Sequence, residues 1–265
     1  MGRIAIGVEY DGGAFHGWQQ QPHSSSVQET LQLALSRVAD APVEVTAAGR
    51  TDAGVHARAQ VAHFDTAAER SPRAWLLGAN SALPATVNLR WVVPVPDDFH
   101  ARFGALRRSY CYMVLNQPMR SALAAGRALI VHRELDALAM QAAADDLVGE
   151  HDFSAFRAAE CQAHSPVRRI EALTVRRRGN WVCVQVTANA FLHHMVRNIV
   201  GTLLAIGRGD APRARAREQL ESRQRSTGEA TAAAHGLYFW QADYPPEFGL
   251  PDDSAIISPI EAVGV

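Results

Sequence analysis

A ten-residue stretch between two predicted strands, residues 48–57, holds the residue types of a catalytic loop. It reads Ala-Gly-Arg-Thr-Asp-Ala-Gly-Val-His-Ala, and its single carboxylate, Asp52, is flanked by Arg50 and Arg58. Small residues let a ligand approach the backbone closely. An aspartate beside cations stays ionised, as a nucleophile or a charge stabiliser must. A turn aspartate that hydrogen-bonds its own backbone has the same pattern, so both roles stay open here.

Arg197 is the one full charge in the apolar run 191–206. The run is apolar almost all round, which predicts one long, buried helix over these residues. A buried guanidinium needs an anion, since an unpaired one costs several kcal/mol. The nearest acids in the sequence, Glu171 and Asp210, lie more than two helical turns away, so Asp52 is the partner we expect. A side chain that extends to solvent or caps a carbonyl group is the alternative.

The predicted strand at residues 106–115 carries aromatic and cationic side chains on one face. Alternation along the strand places Arg108, Tyr110 and Tyr112 together. Arginine interleaved with aromatic rings on a sheet can hold phosphates and stack on bases. An aromatic pair inside a core has the same pattern, so the strand alone leaves both interpretations open.

The elements that must position these residues can be predicted from hydrophobic periodicity and capping residues. In the first part of the chain we predict strands at 3–10, 43–47, 59–65 and 87–95, and helices that begin after Ser26 and Ser71. In the second part we predict strands at 106–115, 169–176, 181–187 and 237–242, and helices after Asp136, at 191–206 and from Pro212.

The element order β-α-β-β-α occurs twice, each time with a closing strand. It predicts an α+β protein of two ferredoxin-like halves with a mixed, mainly antiparallel sheet. We expect residues 1–100 to form the half with the Asp52 loop, and residues 101–245 to form the half with Tyr110 and Arg197. The remaining residues, 246–265, are acidic and contain proline, which predicts a flexible tail.

The charges are unevenly distributed along the chain. All 26 basic residues are arginine, so an anion site here uses guanidinium groups, and lysine Schiff-base chemistry is excluded. The net charge of −1 speaks against nucleic acid only as an average. Residues 100–225 carry 19 arginines against 11 acids, a net of +8, between two acidic ends. This basic middle favours a face that binds phosphates, with scattered solvated charge as the alternative.

Cysteine usage and hydropathy indicate a compartment. The three cysteines, Cys111, Cys161 and Cys183, include no C-x-x-C spacing, which favours reduced thiols in the cytosol. The apolar run at 4–8 is too short for a signal peptide, and that at 199–206 is too short for a membrane span. We therefore expect a soluble cytoplasmic protein that has no membrane partner.

The Asp52 loop resembles the signature loop of the tRNA pseudouridine synthase A family. Further matches follow in family order across residues 3–244: Tyr10-Asp11-Gly12, Gly17-Trp18-Gln19, Phe99-His100-Ala101-Arg102, Tyr110-x-Tyr112, residues 152–156, residues 193–201 and His235-Gly236-Leu237. The Asp52 loop and the segment around Arg197 are highly specific together. The tail from about residue 246 has no counterpart in the resemblance.

The resemblance implies an activity and a set of partners. Members of the family isomerise uridine to pseudouridine at positions 38, 39 and 40 of the tRNA anticodon stem-loop. They use no metal, no nucleotide cofactor and no external energy. They work as homodimers with a basic cleft, and each half is a ferredoxin-like module.

The resemblance also implies roles for four residues. Asp52 matches the essential aspartate, which attacks the flipped uridine or its ribose, or assists glycosidic cleavage. Tyr110 matches the tyrosine that contacts the substrate, stacking on the base and taking the C5 proton directly or through water. Arg197 matches the arginine that pairs with the aspartate, lowers its pKa and orients it. Arg50 matches a residue that enters the helix stack and supports the extruded nucleotide.

Two other functions compete with an isomerase. A non-catalytic tRNA-binding or chaperone module would use the same basic face, but it gains little from a carboxylate beside RNA phosphates. A small-molecule hydrolase is the other alternative, but the sequence contains no second catalytic carboxylate, no G-x-S-x-G motif and no Cys–His arrangement that would support it. We expect no metal site either, because the neighbouring His193 and His194 point to different helix faces, and His56 and His63 lack a ligand cluster.

Overall fold

A computed structural model describes residues 2–225 and 228–252 of the chain. Its described residues form two compact units, one built from residues 2–107 and 238–252, and the other from residues 108–225 and 228–237. Both units combine helices with mainly antiparallel strands, so the α+β class predicted from the sequence is confirmed.

The first unit has the predicted β-α-β-β-α-β order. Its elements are β1 (Gly2–Tyr10), α1 (Val27–Ala39), β2 (Thr46–Ala47), β3 (His56–Thr66), α2 (Pro72–Ala82) and β4 (Val87–Val95). Strand β1 lies between β3 and β4 and is antiparallel to both, while β2 pairs with β3. The sheet order is therefore that of a ferredoxin-like half.

Capping residues begin both helices of this unit where the sequence predicts. The hydroxyl of Ser26 accepts a hydrogen bond from the Glu29 amide at 3.2 Å, and that of Ser71 accepts one from the Ala74 amide at 3.2 Å. These bonds satisfy amides that have no partner inside the helix. Helix α1 buries Leu31 and Leu35 completely, and this burial fixes it to the sheet.

The second unit repeats the pattern with additional short elements. They are β5 (Arg107–Asn116), β6 (Leu129–Val131), α3 (Ala137–Ala144), β7 (Gly149–Asp152), β8 (Val167–Arg178), β9 (Trp181–Ala188), α4 (Met195–Gly207) and α5 (Arg215–Ser222). The strand order is β5-β9-β8-β7, and β6 pairs parallel with β5. Strands β8 and β9 form an antiparallel hairpin, with Gly179 at a φ of 56° in its turn.

Several predicted boundaries differ from the structure. Helix α4 begins at Met195 instead of residue 191, because His194 takes a left-handed conformation with a φ of 61° that no helix continues through. Strand β2 keeps only the last two residues of the predicted 43–47, and α5 begins at Arg215, beyond Pro212. The short strands β6 and β7 were not predicted, since neither is long enough to show an alternating pattern.

The closing strand β10 (Leu237–Asp243) joins the first unit, although the sequence pattern predicts it in the half at 101–245. It runs parallel to β3, with Tyr238 opposite His56 and Phe239 opposite Ala57. This pairing, together with the segment that follows it, returns the chain to the first unit.

The start of the predicted flexible tail packs on the first unit. The Tyr244 hydroxyl donates a hydrogen bond to the Ala101 carbonyl at 2.6 Å. Residues 246–248 form one helical turn, and the ring of Phe248 lies 5.1 Å from the ring of Phe99. These contacts join residues 246–248 to the first unit, and the flexibility of the tail stays a prediction. The part of the tail at 253–265 lies outside the described residues.

Candidate active site

The Asp52 loop connects β2 to β3 and ends in a tight turn. The Val55 amide donates a hydrogen bond to the Asp52 carbonyl at 3.1 Å, and Gly54 inside the turn has a φ of 78°. Glycine adopts this conformation without steric cost. Asp52 is half-buried and Arg50 is exposed, so the loop holds its carboxylate at the surface of the first unit.

The segment from Tyr10 to Trp18 lies directly against this loop. The Tyr10 and Thr51 hydroxyls are 2.8 Å apart, and the Trp18 amide donates to the Thr51 carbonyl at 3.0 Å. On the other side of Asp52, the Gly54 amide donates to the Phe15 carbonyl at 3.3 Å. The loop is thus held before and after Asp52 by one neighbouring segment.

Two glycines make this close approach feasible. A β-carbon at Gly12 would collide with the Val55 carbonyl. At Gly17, which has a φ of 96°, a β-carbon would lie 2.8 Å from the Thr51 carbonyl oxygen. The motifs Tyr10-Asp11-Gly12 and Gly17-Trp18-Gln19 therefore belong to the same structural feature as the Asp52 loop.

A buried amide completes the support of the loop. The side-chain nitrogen of Gln60 on β3 donates to the Gly49 carbonyl at 2.7 Å, and Gln60 is completely buried. Burial raises the pKa of Tyr10 to about 12, while hydrogen bonds with Thr51 and Gln60 oppose the rise. Tyr10 is therefore a neutral phenol at physiological pH.

Arg58, which follows the loop, has a different environment from the one its sequence position suggests. It is 4% exposed, and its guanidinium lies 5.1 Å from the centre of the Trp240 ring on β10. A guanidinium stacked on an indole in this way stabilises the packing of the two strands. Arg58 therefore stabilises the sheet that carries the loop. Of the two arginines that flank Asp52 in the sequence, Arg50 is the exposed one.

The two tyrosines of β5 belong to the second unit and have different surroundings. Tyr110 is 9% exposed, and its ring meets Phe191 edge to face at 5.0 Å. Tyr112 is completely buried, and its hydroxyl donates to the Ala233 carbonyl at 2.8 Å. Burial raises the pKa of Tyr112. Tyr112 is thus a core residue, and Tyr110 is the better candidate for contact with a ligand.

Arg197 also belongs to the second unit, on α4. Every other residue of this helix is buried, as the sequence predicts, and Arg197 itself is half-buried. Its Nε donates to the Ala232 carbonyl at 2.8 Å, and its own carbonyl accepts from the Ala232 amide at 3.1 Å. The side chain therefore caps a carbonyl, the alternative left open by the sequence. Its pairing with Asp52 stays a prediction.

Two residues that support the loop, Tyr10 and Gln60, are not indicated as such by the patterns above. Tyr10 is part of the family resemblance, but a tyrosine at the end of a strand is common in any core. Gln60 does have a sequence signal, since it is an uncharged polar residue among the small apolar residues of β3. A buried amide in such a strand indicates a hydrogen-bonding task.

Comparison with known proteins identifies relatives over almost the whole chain. The family model described as tRNA pseudouridine synthase matches residues 6–104 and 143–245. The tRNA pseudouridine synthase A of Methylococcus capsulatus is 54% identical over 252 residues, which cover 95% of this chain and 93% of the relative. That of Hydrogenovibrio crunogenus is 52% identical over 251 residues, covering 95% and 96%. Among the described residues, no helix has the length and apolar character needed to span a membrane.

Proposed function

The chain belongs to the tRNA pseudouridine synthase family and is thus an isomerase that acts on tRNA, and we propose that it modifies uridines 38, 39 and 40 of the anticodon stem-loop. The observation that carries the proposal is the Asp52 loop, whose carboxylate stands half-buried on a backbone held from both sides. A carboxylate fixed in this way is better suited to nucleophilic chemistry than to simple RNA binding.

The reaction needs a group that attacks and a group that removes a proton. Asp52 is the nucleophile: its carboxylate oxygen forms a bond to C1′ of the flipped uridine as the bond between C1′ and N1 breaks. The free uracil turns within the site, and C5 then forms a bond to C1′ as the bond between C1′ and Asp52 breaks. The proton that C5 loses passes to Tyr110, directly or through water, while N1 gains a proton, so the product is an isomer of the substrate.

Two arginines assist this chemistry. Arg197 pairs with Asp52 and fixes the direction of its carboxylate. Arg50 is exposed beside Asp52, where a guanidinium can enter the helix stack that the flipped nucleotide leaves. The reaction needs no metal and no cofactor, because attack, cleavage and recombination involve only the base, the ribose and these side chains.

The substrate is a folded polyanion, and the charge distribution supports this. Residues 100–225 have a net charge of +8, with exposed arginines on β8 at Arg169, Arg176 and Arg178. Guanidinium groups bind phosphates in a bidentate manner. We propose that a homodimer joins two such basic surfaces around tRNA, and that the protein acts in the cytoplasm.

One experiment tests the activity. The purified protein is incubated with unmodified tRNA labelled with tritium at C5 of uracil, and the release of tritium is measured. We expect release by the wild type and none above background by Asp52→Ala. Equal release by the two proteins would contradict the role of Asp52, and tRNA binding without release would favour the non-catalytic RNA-binding module.

A second experiment tests the positions. Three tRNAs are prepared in which only one of uridines 38, 39 and 40 is kept and the other two are replaced by cytidine. We expect pseudouridine at the retained uridine in each tRNA, read by sequencing of the modified base. Modification elsewhere in the tRNA would show that the family assignment holds while the proposed site on the substrate is wrong.

A further inference from the structure

The residues that directly precede Asp52 are held by side chains that lie outside the loop. We propose that Tyr10 and Gln60 are positioning residues that hold Asp52 in its reactive conformation. The inference rests on the proposed function, in which Asp52 is the reacting group. Neither residue touches the substrate in this proposal, and both act through the residues that precede Asp52.

Tyr10 lies at the end of β1, just beyond an irregularity in the pairing of β1 with β3. Val8 lies opposite Gln60 on β3, so a regular ladder would place Tyr10 opposite Arg58, yet Tyr10 lies opposite Ala57. The extra residue is therefore on β3, in the part of the strand that follows the Asp52 loop, and such bulges bend the strand that carries them. The phenol of Tyr10 lies 2.8 Å from the Thr51 hydroxyl.

Gln60 holds the loop at Gly49, two residues before Thr51. Its Nε2 donates to the Gly49 carbonyl at 2.7 Å. Gln60 is completely buried and Tyr10 is 3% exposed, so water does not compete for the bonds that the two side chains make to the loop. Buried hydrogen bonds of this kind make the structure around them rigid.

The burial of these residues favours positioning over direct chemistry. The phenol of Tyr10 stays protonated, since burial raises its pKa to about 12, and its oxygen is held by Thr51. Tyr10 and Gln60 instead fix the position of the backbone at Asp52. A displacement of about 1 Å at a reacting group can reduce the rate about a hundredfold.

Tyr10→Phe tests the proposal with two readouts. We expect kcat for tritium release to fall about ten- to a hundredfold while KM for tRNA changes less than about twofold. We also expect faster hydrogen exchange of the Gly54 and Val55 amides, whose bonds keep the loop closed. Tyr244→Phe is the matched control, because it removes another phenol bond of the first unit, the one to the Ala101 carbonyl, away from the loop.

Variants of Thr51 separate this bond from general stability. Thr51→Val removes the hydroxyl that faces Tyr10 and should lose as much kcat as Tyr10→Phe, whereas Thr51→Ser keeps the hydroxyl and should retain most of it. Combining Thr51→Val with Tyr10→Phe should bring no further loss, because both changes remove one bond. For Gln60, Gln60→Met should raise amide exchange in the loop in the same way.

Two outcomes overturn the proposal. One is loop exchange in Tyr10→Phe and Thr51→Val that equals that of Tyr244→Phe. The other is a loss of kcat no larger than in that control. If the wild type itself releases no tritium, the proposed function fails, and the exchange rates still decide whether Tyr10 holds the loop.

Discussion

Gly17 approaches the Thr51 carbonyl so closely that a β-carbon would lie 2.8 Å from its oxygen. The residue also has a φ of 96°, which costs any other residue backbone strain. Gly17→Ala should therefore lower the free energy of unfolding by about 1–3 kcal/mol and displace the Asp52 loop. We expect tritium release to fall more than about tenfold, measured beside thermal unfolding of the same sample.

The control for Gly17→Ala is Gly179→Ala in the β8–β9 turn. Gly179 also has a positive φ, 56°, but a β-carbon there would have no atom within 4 Å. This variant bears the backbone strain, about 1–2 kcal/mol, without a collision. Its tritium release should equal that of the wild type. A similar loss of activity in both variants would show that general stability, and not the loop, limits the reaction.

Tyr110 and Tyr112 should respond in opposite ways to removal of the hydroxyl. Tyr112→Phe leaves the Ala233 carbonyl without the phenol donor, so the free energy of unfolding should fall by about 1–2 kcal/mol, with activity largely kept. Tyr110→Phe should reduce tritium release at least about tenfold at nearly unchanged stability. Chemical denaturation and single-turnover assays measure the two quantities. The reverse result would exchange the roles that we assign to the tyrosines.

Arg197→Met should abolish most tritium release while tRNA binding changes little. The variant removes the charge that pairs with Asp52 in the proposed reaction, and it also leaves the Ala232 carbonyl without the Nε donor, which costs about 1–2 kcal/mol. Arg197→Lys keeps the charge but lacks the Nε group, so it separates the two effects. Filter binding of labelled tRNA and thermal unfolding accompany each assay. Full activity of Arg197→Met would refute the pairing.

Local patterns predicted most of the fold because its elements are capped and periodic. Ser26 and Ser71 cap helices where the sequence indicates, and the β8–β9 turn falls at Gly179. The pairing of Tyr238 with His56 was not predictable, since no local signal joins residues so far apart in the chain. The start of α4 was missed because a histidine at position 194 carries no sign of its left-handed backbone.

For the candidate site, residue types indicated Asp52 but not its supports. An aspartate among small residues is visible in the sequence, whereas the contact of Tyr10 with Thr51 joins residues that lie 41 positions apart in the chain. The sequence position of Arg58 suggests a cation beside Asp52, but in the structure Arg58 is buried against Trp240. The spacing of residues in the sequence shows which groups are close along the chain, whereas the pairing of strands determines which groups are in contact in the fold.

Stability should decrease in mild acid because of His63 on β3. Burial, with smaller contributions from the nearby His100 and Arg3, lowers the pKa of His63 from 6.5 to about 4, while Asp65 opposes this shift. Its Nδ1 accepts a hydrogen bond from the Ala101 amide at 3.2 Å, which protonation would break. The unfolded chain therefore binds a proton below about pH 6.5 that the folded chain refuses until about pH 4.

The contribution of His63 is complete above pH 6.5 and is lost as the pH falls toward 4. Allowing for solvent screening, we expect a loss of about 1–2 kcal/mol from this residue. Unfolding by denaturant at a series of pH values measures the slope. His63→Gln should reduce that slope, whereas substitution of the exposed His164 by Gln should leave it unchanged. An equal slope in the wild type and His63→Gln would assign the acid sensitivity to other groups.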